Sequence, residues 1–454
     1  MTIIEQIADT LWRPWLLGLF LLVGLWCSLR SGFFQLFGFG AWIKGSVGSL
    51  FGRKKKAARG SLTQIQALAT ALASTIGTGS IAGVATAVFF GGPGAVFWMW
   101  ISAILGMMTG CAEKTLAVRF RERAPEGGWR GGPMCYMRDG LSLKWLAEVF
   151  SVLCVAQTLA GGNLVQANSI AASLNSAFGA DKLAVGLVTA ALAAAVTLGG
   201  IGRIGRVSEK LVPAMAALFL CGGGIVLIAR AGAIPGALRD IMRYAFQPKA
   251  VIGGYGMGTA MRFGIARGVF TNEAGLGTSA IAHAAADVDD PAQQGMWGIF
   301  EVFAATIVVC SVTALVILTS GVYSVDSAQA AIQSGNVPPE MLGAPLTEAA
   351  FASVLGDPGR VLVSLCLLLF AFTSLLGSCY YGQRGIETLT GRPWAMNCYR
   401  GAYLAMIVLG CLGDVSVVWQ LVDVIDGLLA LPNLIALLLL SPVALELLQG
   451  KRQR

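Results

Sequence analysis

"LASTIGTGSIAG", residues 72–83, sets Ser74, Thr75, Thr78 and Ser80 beside Gly77 and Gly79 in the middle of a long apolar run. Glycine costs about 1 kcal/mol in a helix interior. Inside a bilayer a broken helix also frees backbone groups, each worth several kcal/mol if left unpaired. A greasy chain interrupts itself there only if the freed groups have partners.

The setting is membranous. Of 454 residues, 56 % are hydrophobic and 12 % charged, with a mean hydropathy of +0.72. Soluble domains carry about 25 % charged residues. A spanning helix needs roughly 20 apolar residues. About eleven such runs are legible, near 12–29, 63–90, 93–118, 148–177, 184–202, 209–230, 256–284, 296–321, 358–382, 397–413 and 417–447. With no periodic strand pattern, the chain reads as an all-α polytopic membrane protein.

Orientation follows from Lys and Arg placement. Arg53, Lys54, Lys55, Lys56 and Arg59 lie between the first two runs. Lys114, Arg119, Arg121, Arg123, Arg130, Arg138 and Lys144 lie between the third and fourth. Arg203, Arg206 and Lys210, then Arg384, Arg392 and Arg400, then Lys451, Arg452 and Arg454 fall on the same side. That side is expected to be cytoplasmic, with the N-terminus outside and the C-terminus inside. Segment 231–262, with Arg239, Arg243, Lys249 and Arg262, runs against the pattern. The net charge of +8 is therefore mostly an orientation signal, not a mark of nucleic-acid binding. Glu5 and Asp9 precede the first run and no basic region does, so it reads as a retained helix and not a signal peptide. The ten cysteines are scattered without a CxxC or Cys/His cluster and read as buried thiols. Residues 322–357 read as a polar outer loop, either a short helical cover or a floppy connector.

A second interruption stands at "RGVFTNEAGLGTSAIAHAAA", residues 267–286. It falls in the seventh run and the opening stretch in the second. Without the first run, these are the leading helices of two five-helix blocks. An offset of five inverts the second block, the pattern of an inverted-repeat transporter with discontinuous helices at matching positions. Such breaks aim carbonyls at a cation and half-helix N-termini at a carboxylate. The competing reading is close small-residue packing of helices.

The motifs that carry a resemblance are "GTGSIAGVATAV" (77–88), "GGPGAVFWMWISAILG" (91–106), "GGPMCYM" (131–137), "NLVQANSIA" (163–171), "NEAGLGTSAIAHAAA" (272–286), "LLGSCYYGQRGIE" (375–387) and "LPNLIALLLLS" (431–441). Over about residues 60–445 the chain resembles the alanine or glycine:cation symporters. That resemblance implies a LeuT-like fold: an extra N-terminal helix and basic loop (1–60), a first repeat (61–230), a second (231–447) and a short cytoplasmic tail (448–454). It implies sodium-coupled uptake of small neutral amino acids across a bacterial-type inner membrane, with sodium as the coupling ion. It implies cation ligands at the carbonyls of Ala73, Ile76 and Phe370 and the hydroxyls of Thr373 and Ser374. It implies substrate contacts at Thr78, Gly79, Gln166, Phe270, Thr271, Asn272, Ser374 and Ser378. The chain departs from the family where Asn is usual (Ser80), Trp is common (Ser378) and Asp is frequent (Ala305). These departures bear on a second cation site, on pocket size and on coupling.

Intramembrane acids are candidates in their own right. Glu113 is expected to form an interfacial salt bridge with Lys114 or Arg119. Glu273 is placed in the broken helix, in a structural or gating role. Glu301 is a weaker functional candidate, and His283 is expected to pack. Trp98 and Trp100 are expected to be interfacial or packing residues. A proton-coupled carrier would need a titrating group at the cation site, where the sequence suggests only hydroxyls and carbonyls. A channel would show a filter or a charged ring. An enzyme would show a catalytic motif. None is visible.

Overall fold

The computed structural model describes residues 3–51, 57–58, 60–124, 127–248, 255–413 and 416–452. Arg53, Lys54, Lys55, Lys56, Arg59, Lys249 and Arg454 lie outside these, so their part of the charge pattern rests on sequence. The apolar runs form helices α1 (Pro14–Arg30), α2 (Gln64–Thr75), α3 (Ala82–Gly91), α4 (Gly94–Arg119), α5 (Lys144–Ser176), α6 (Lys182–Thr197) and α7 (Gly200–Ala229). They continue as α8 (Met257–Asn272), α9 (Ala280–Ala284), α10 (Pro291–Thr319), α11 (Asp357–Thr390), α12 (Pro393–Leu412) and α13 (Ser416–Arg452). Seven of the described helices (α4, α5, α7, α10, α11, α12 and α13) are long and apolar enough to cross a membrane.

Both interruptions are real breaks. Helix α2 starts at a capping box in which Thr63 and Gln66 each take up the other's free amide, at 3.2 and 3.1 Å. It stops at Thr75 because Gly77 is extended (φ −113°, ψ −154°), and a single tight turn, Thr78–Ser80, precedes α3. Helix α8 ends at Glu273, whose φ of 53° is left-handed, and Gly275 (φ 99°) and Gly277 (φ 80°) carry the chain to α9. Side chains at those two glycines would be strained. The two broken elements are tied end to end: Leu62 donates to the Ala285 carbonyl at 2.9 Å and accepts from Asp287 at 2.7 Å.

Small residues bring α4 against α8 and α10. A Cβ on Gly298 would lie 2.6 Å from the Gly110 carbonyl oxygen, so these backbones meet directly. In the 322–357 segment, helices Val325–Ser334 and Gly343–Leu355 settle the choice in favour of a helical cover. Thr347 anchors the second of them by donating to the Ile81 carbonyl at 3.3 Å. Segment 231–262 contains an amphipathic helix, Ile234–Ala245, which seats its buried Ile241 against the core. Trp98 and Trp100 are packing residues, donating to the Ala245 carbonyl at 3.0 Å and to Ser311 Oγ at 2.7 Å.

Candidate functional site

The first break is held against α11 by hydroxyls. Ser374 Oγ donates to the Ala73 carbonyl at 2.9 Å, and Thr373 Oγ1 stands 3.5 Å from that same oxygen. Thr373 also donates to the Phe370 carbonyl at 3.0 Å, and Ser374 to the Ser74 carbonyl at 3.4 Å. All four residues, Ala73, Phe370, Thr373 and Ser374, are buried. Ile76 caps the end of α2 three residues on from Ala73. The cluster offers neutral oxygen ligands, the donor set that hard cations prefer. Among the described residues no group of three or more His, Cys, Asp or Glu is arranged to hold a metal ion. One softer neighbour intrudes: Met215 Sδ lies 3.5 Å from Thr373 Oγ1.

A small cavity adjoins this cluster. Of the sequence-derived candidates, Gly79, Gln166, Phe270, Ser374 and Ser378 line it. A Cβ on Gly77 would sit 2.7 Å from Ser374 Oγ, and one on Gly79 would sit 3.0 Å from both Phe270 and Thr271 Oγ1. The glycines thus let the break approach α8 and α11. Gln166 donates to the Gly161 carbonyl at 3.3 Å and keeps its own carbonyl oxygen unpartnered among the described residues. Thr78, Thr271 and Asn272 are buried at the breaks and do not line the cavity. Thr271 bonds back to the Arg267 carbonyl at 2.8 Å. Asn272 donates to Thr306 at 3.1 Å and accepts from the Ala274 amide at 3.0 Å, which makes it a strut of the second break.

Sequence reasoning missed Gln157, Gly161, Gly162 and Asp426, all in the cavity wall. Gly161 and Gly162 lie in a π-helical turn of α5, Ala160–Leu164, and the "AGGN" glycine pair was the legible signal. Beside the carbonyl-and-hydroxyl cluster, the cavity wall also carries the carboxylates of Glu273 and Asp426. Four of the lining elements are far apart in sequence, so the acid on α13 could not be placed beside α2 from spacing.

The second break is satisfied by buried ions. Glu113 Oε1 accepts from the Gly275 amide at 2.9 Å and from Asn433 Nδ2 at 2.7 Å, while Asn433 also donates to the Gly275 carbonyl at 2.8 Å. Tyr136 donates to Asn433 Oδ1. Lys114 Nζ sits 3.3 Å from Glu113 and 3.4 Å from Glu301, and all three are fully buried. The interfacial salt bridge expected of Glu113 is therefore corrected to an interior one: α4 turns both residues inward, where the freed Gly275 amide needs an acceptor. His283 packs as expected, and its role includes Glu301: Gln294 donates to Nδ1 at 2.6 Å, leaving Nε2–H to face Glu301 at 3.1 Å. Glu273 joins the two breaks, accepting from Ser74 at 2.5 Å and from Thr278.

Two further ion-pair clusters stand out in the fold. In one, Arg267 holds Asp423 through bonds of 3.2 and 3.1 Å, and Phe270 packs on Trp419 with ring centroids 5.7 Å apart. Beyond them lies a wider space of about 1550 Å³ that also touches Arg267 and Trp419. At another face Arg130 bridges Glu122 at 2.8 Å and Glu387 at 2.6 Å, and Arg384 pairs with Glu387.

Broken helices around a carbonyl-and-hydroxyl cluster are a transporter's architecture, and a family model, the sodium:alanine symporter family, matches residues 1–453. The chain belongs to the sodium:alanine symporter family. Its members are transporters and not enzymes, so this is a membrane transport protein. It is 39 % identical to an uncharacterised transporter of Haemophilus influenzae, over 98 % of this chain and 94 % of that one. It is 37 % identical to the sodium/alanine symporter AgcS of Methanococcus maripaludis (98 % and 96 % covered). It is 35 % identical to a probable sodium/glutamine symporter, GlnT, of Bacillus subtilis (97 % and 88 %). Among solved structures, a manganese transporter of Eremococcus coleocola shares the fold, with a TM-score of 0.55 at 17 % identity over 88 % of this chain and 82 % of that one.

Proposed function

We propose that the protein is a sodium-coupled symporter that carries a small neutral amino acid, alanine or glycine in kind, into the cell by alternating access. The observation that carries this reading is the convergence of the Ala73 carbonyl with the Thr373 and Ser374 hydroxyls at the first break, beside a cavity. Sodium would be met by those oxygens together with the Ile76 and Phe370 carbonyls. The substrate carboxylate would meet the backbone at Thr78 and Gly79, with Gln166, Phe270, Ser374 and Ser378 around the rest of it and Thr271 and Asn272 behind. Sodium bound there draws α2 and α11 together, so the ion favours the loaded, closed form by its differential affinity for it.

The same reading takes eleven spans, one extra helix (1–60), inverted repeats over 61–230 and 231–447, and a tail (448–454). The N-terminus faces outward and the C-terminus the cytoplasm of a bacterial-type cell. Arg267 and Asp423 then close the outer path, and Arg130, Glu122, Glu387 and Arg384 the inner one. A proton-coupled carrier of the same fold is the second reading, and the observation that favours it is the pair of carboxylates, Glu273 and Asp426, in the cavity wall.

Reconstitution separates the two. Labelled alanine uptake into liposomes is expected to require an inward sodium gradient and to disappear in the double variant Thr373→Ala/Ser374→Ala. Uptake driven by a proton gradient alone would overturn the sodium assignment.

A further inference from the structure

Asp426 is a buried acid without a counter-ion of its own. It is 2 % exposed and lines the cavity. Neither carboxylate oxygen makes a well-formed hydrogen bond among the described residues, and Gln157 offers only a looser polar contact. The charges that act on it are Asp423, Glu273 and Arg267. Arg267 is already engaged by both oxygens of Asp423, one helical turn before Asp426 on α13. Glu273 is satisfied by Ser74 and Thr278. A buried carboxylate left without donors is strongly disfavoured. Such a group either takes up a proton or draws a donor from whatever fills the cavity, and the cavity it lines is the one beside the first break.

The wall beside it is made of small residues in close contact, a Cβ on Gly162 falling 2.4 Å from Ser378 Oγ. Gly161, Gly162 and Ser378 present almost no side-chain bulk to this wall. A Cβ on Gly161 would lie 3.1 Å from Val422 of α13 and 3.3 Å from Gln157 Nε2, which places the glycine pair at the junction between α5 and the turn before Asp426. Gly77 and Gly79 border the same cavity, at the break to which the substrate carboxylate is assigned.

We propose that Asp426, with Gln157 and Ser378, forms a side-chain subsite that selects amino acids whose side chain ends in N–H donors. This rests on the transport reading above and moves its preferred substrate from alanine or glycine to a longer amino acid with a donor-ended side chain. The shared chemistry is a terminal N–H group, from either an ammonium or a carboxamide. A site built to bond such a group discriminates strongly, because the analogue without it leaves the carboxylate unpaired.

The test is competition against labelled alanine bound to the purified protein in detergent with sodium present, which does not depend on coupling. The competitors are 2,4-diaminobutyrate (ammonium end), glutamine (amide end) and norvaline (apolar, similar length). At least one donor-ended competitor is expected to displace alanine about tenfold better than norvaline. In Asp426→Asn that advantage is expected to fall about tenfold for diaminobutyrate, and less for glutamine. Should the asparagine variant not fold, the wild-type series decides alone. Norvaline competing as well as both donor-ended compounds overturns the subsite. So does an unchanged ranking in Asp426→Asn accompanied only by an altered pH dependence of uptake, which would make Asp426 a proton carrier. The expected ranking in binding without sodium-driven uptake in liposomes upholds the subsite and overturns the sodium coupling alone.

Discussion

At the scale of the residue, two hydroxyls do most to define the candidate cation site. Thr373 and Ser374 sit on consecutive positions of α11, and both reach the Ala73 carbonyl. Both stand within hydrogen-bond reach of that carbonyl, so a cation bound as proposed would exchange partners within a cluster that already exists. Removing either hydroxyl leaves one fewer oxygen for the ion and costs about 1–3 kcal/mol. Ser374→Ala is expected to raise the sodium concentration for half-maximal uptake about tenfold, read from initial rates at fixed alanine. Gly77→Ala tests the same spot sterically, since its Cβ would press on Ser374 Oγ at 2.7 Å. It is expected to abolish sodium-stimulated alanine binding while the purified protein stays monodisperse.

The broken helices belong to the scale of the element. Each break exposes backbone groups that lipid cannot satisfy, and the chain answers them differently. The first uses hydroxyls from α11. The second uses Glu113 and Asn433, which clamp the Gly275 amide and carbonyl between them. Asn433→Ala removes its three bonds and leaves the Glu113 oxygen, the Gly275 carbonyl and the Tyr136 hydroxyl poorly paired. The expected loss is about 1–3 kcal/mol per group so exposed, seen as a lower melting temperature in detergent with little change in alanine affinity. Loss of affinity without loss of stability would assign Asn433 to the substrate instead. Direct backbone contact between α4 and α10 is a second demand at this scale. Gly298→Leu is expected to disrupt it and to abolish monodisperse expression, because the Gly110 carbonyl oxygen cannot move off its own helix.

Motion is a property of the whole molecule, and in the reading proposed here its handles are the Arg267 and Arg130 ion-pair clusters. The Arg130 cluster ties the hairpin strand Trp129–Arg130 to α11 through Glu387. The two ends are partly exposed, at 27 % for Arg130 and 12 % for Glu387, so their pairing is worth less than a buried one and suits a contact that must open. In the orientation proposed here, Arg130→Gln is expected to shift the population toward inward-open states. A cysteine introduced at Thr388, beside the cluster, should then react several-fold faster with a membrane-impermeant thiol reagent applied from the cytoplasmic face. An unchanged rate would remove this cluster from the gate.

Much of this protein was legible in its sequence, and the reason is the bilayer. A hydrocarbon solvent demands long apolar helices, so run length reveals them. It also makes every break conspicuous, so glycines beside hydroxyls at 72–83 and 267–286 marked both interruptions. The Ala73, Thr373 and Ser374 cluster came through resemblance, and the tertiary structure brings those residues together. What spacing could not reveal is which faces meet. Glu113 and Lys114 read as interfacial because they end an apolar run, yet α4 carries them into the interior to serve a glycine amide 162 positions away and an asparagine 320 positions away. Asp426 reads as one acid among several on α13. Only the packing of α13 against α5 and the first break makes it the unpaired wall of a cavity. Local chemistry determined the helices and their breaks, since lipid acts on each segment separately. The partners of the buried charges were decided by tertiary structure, since a charge in low dielectric is governed by whatever the fold brings within a few ångströms.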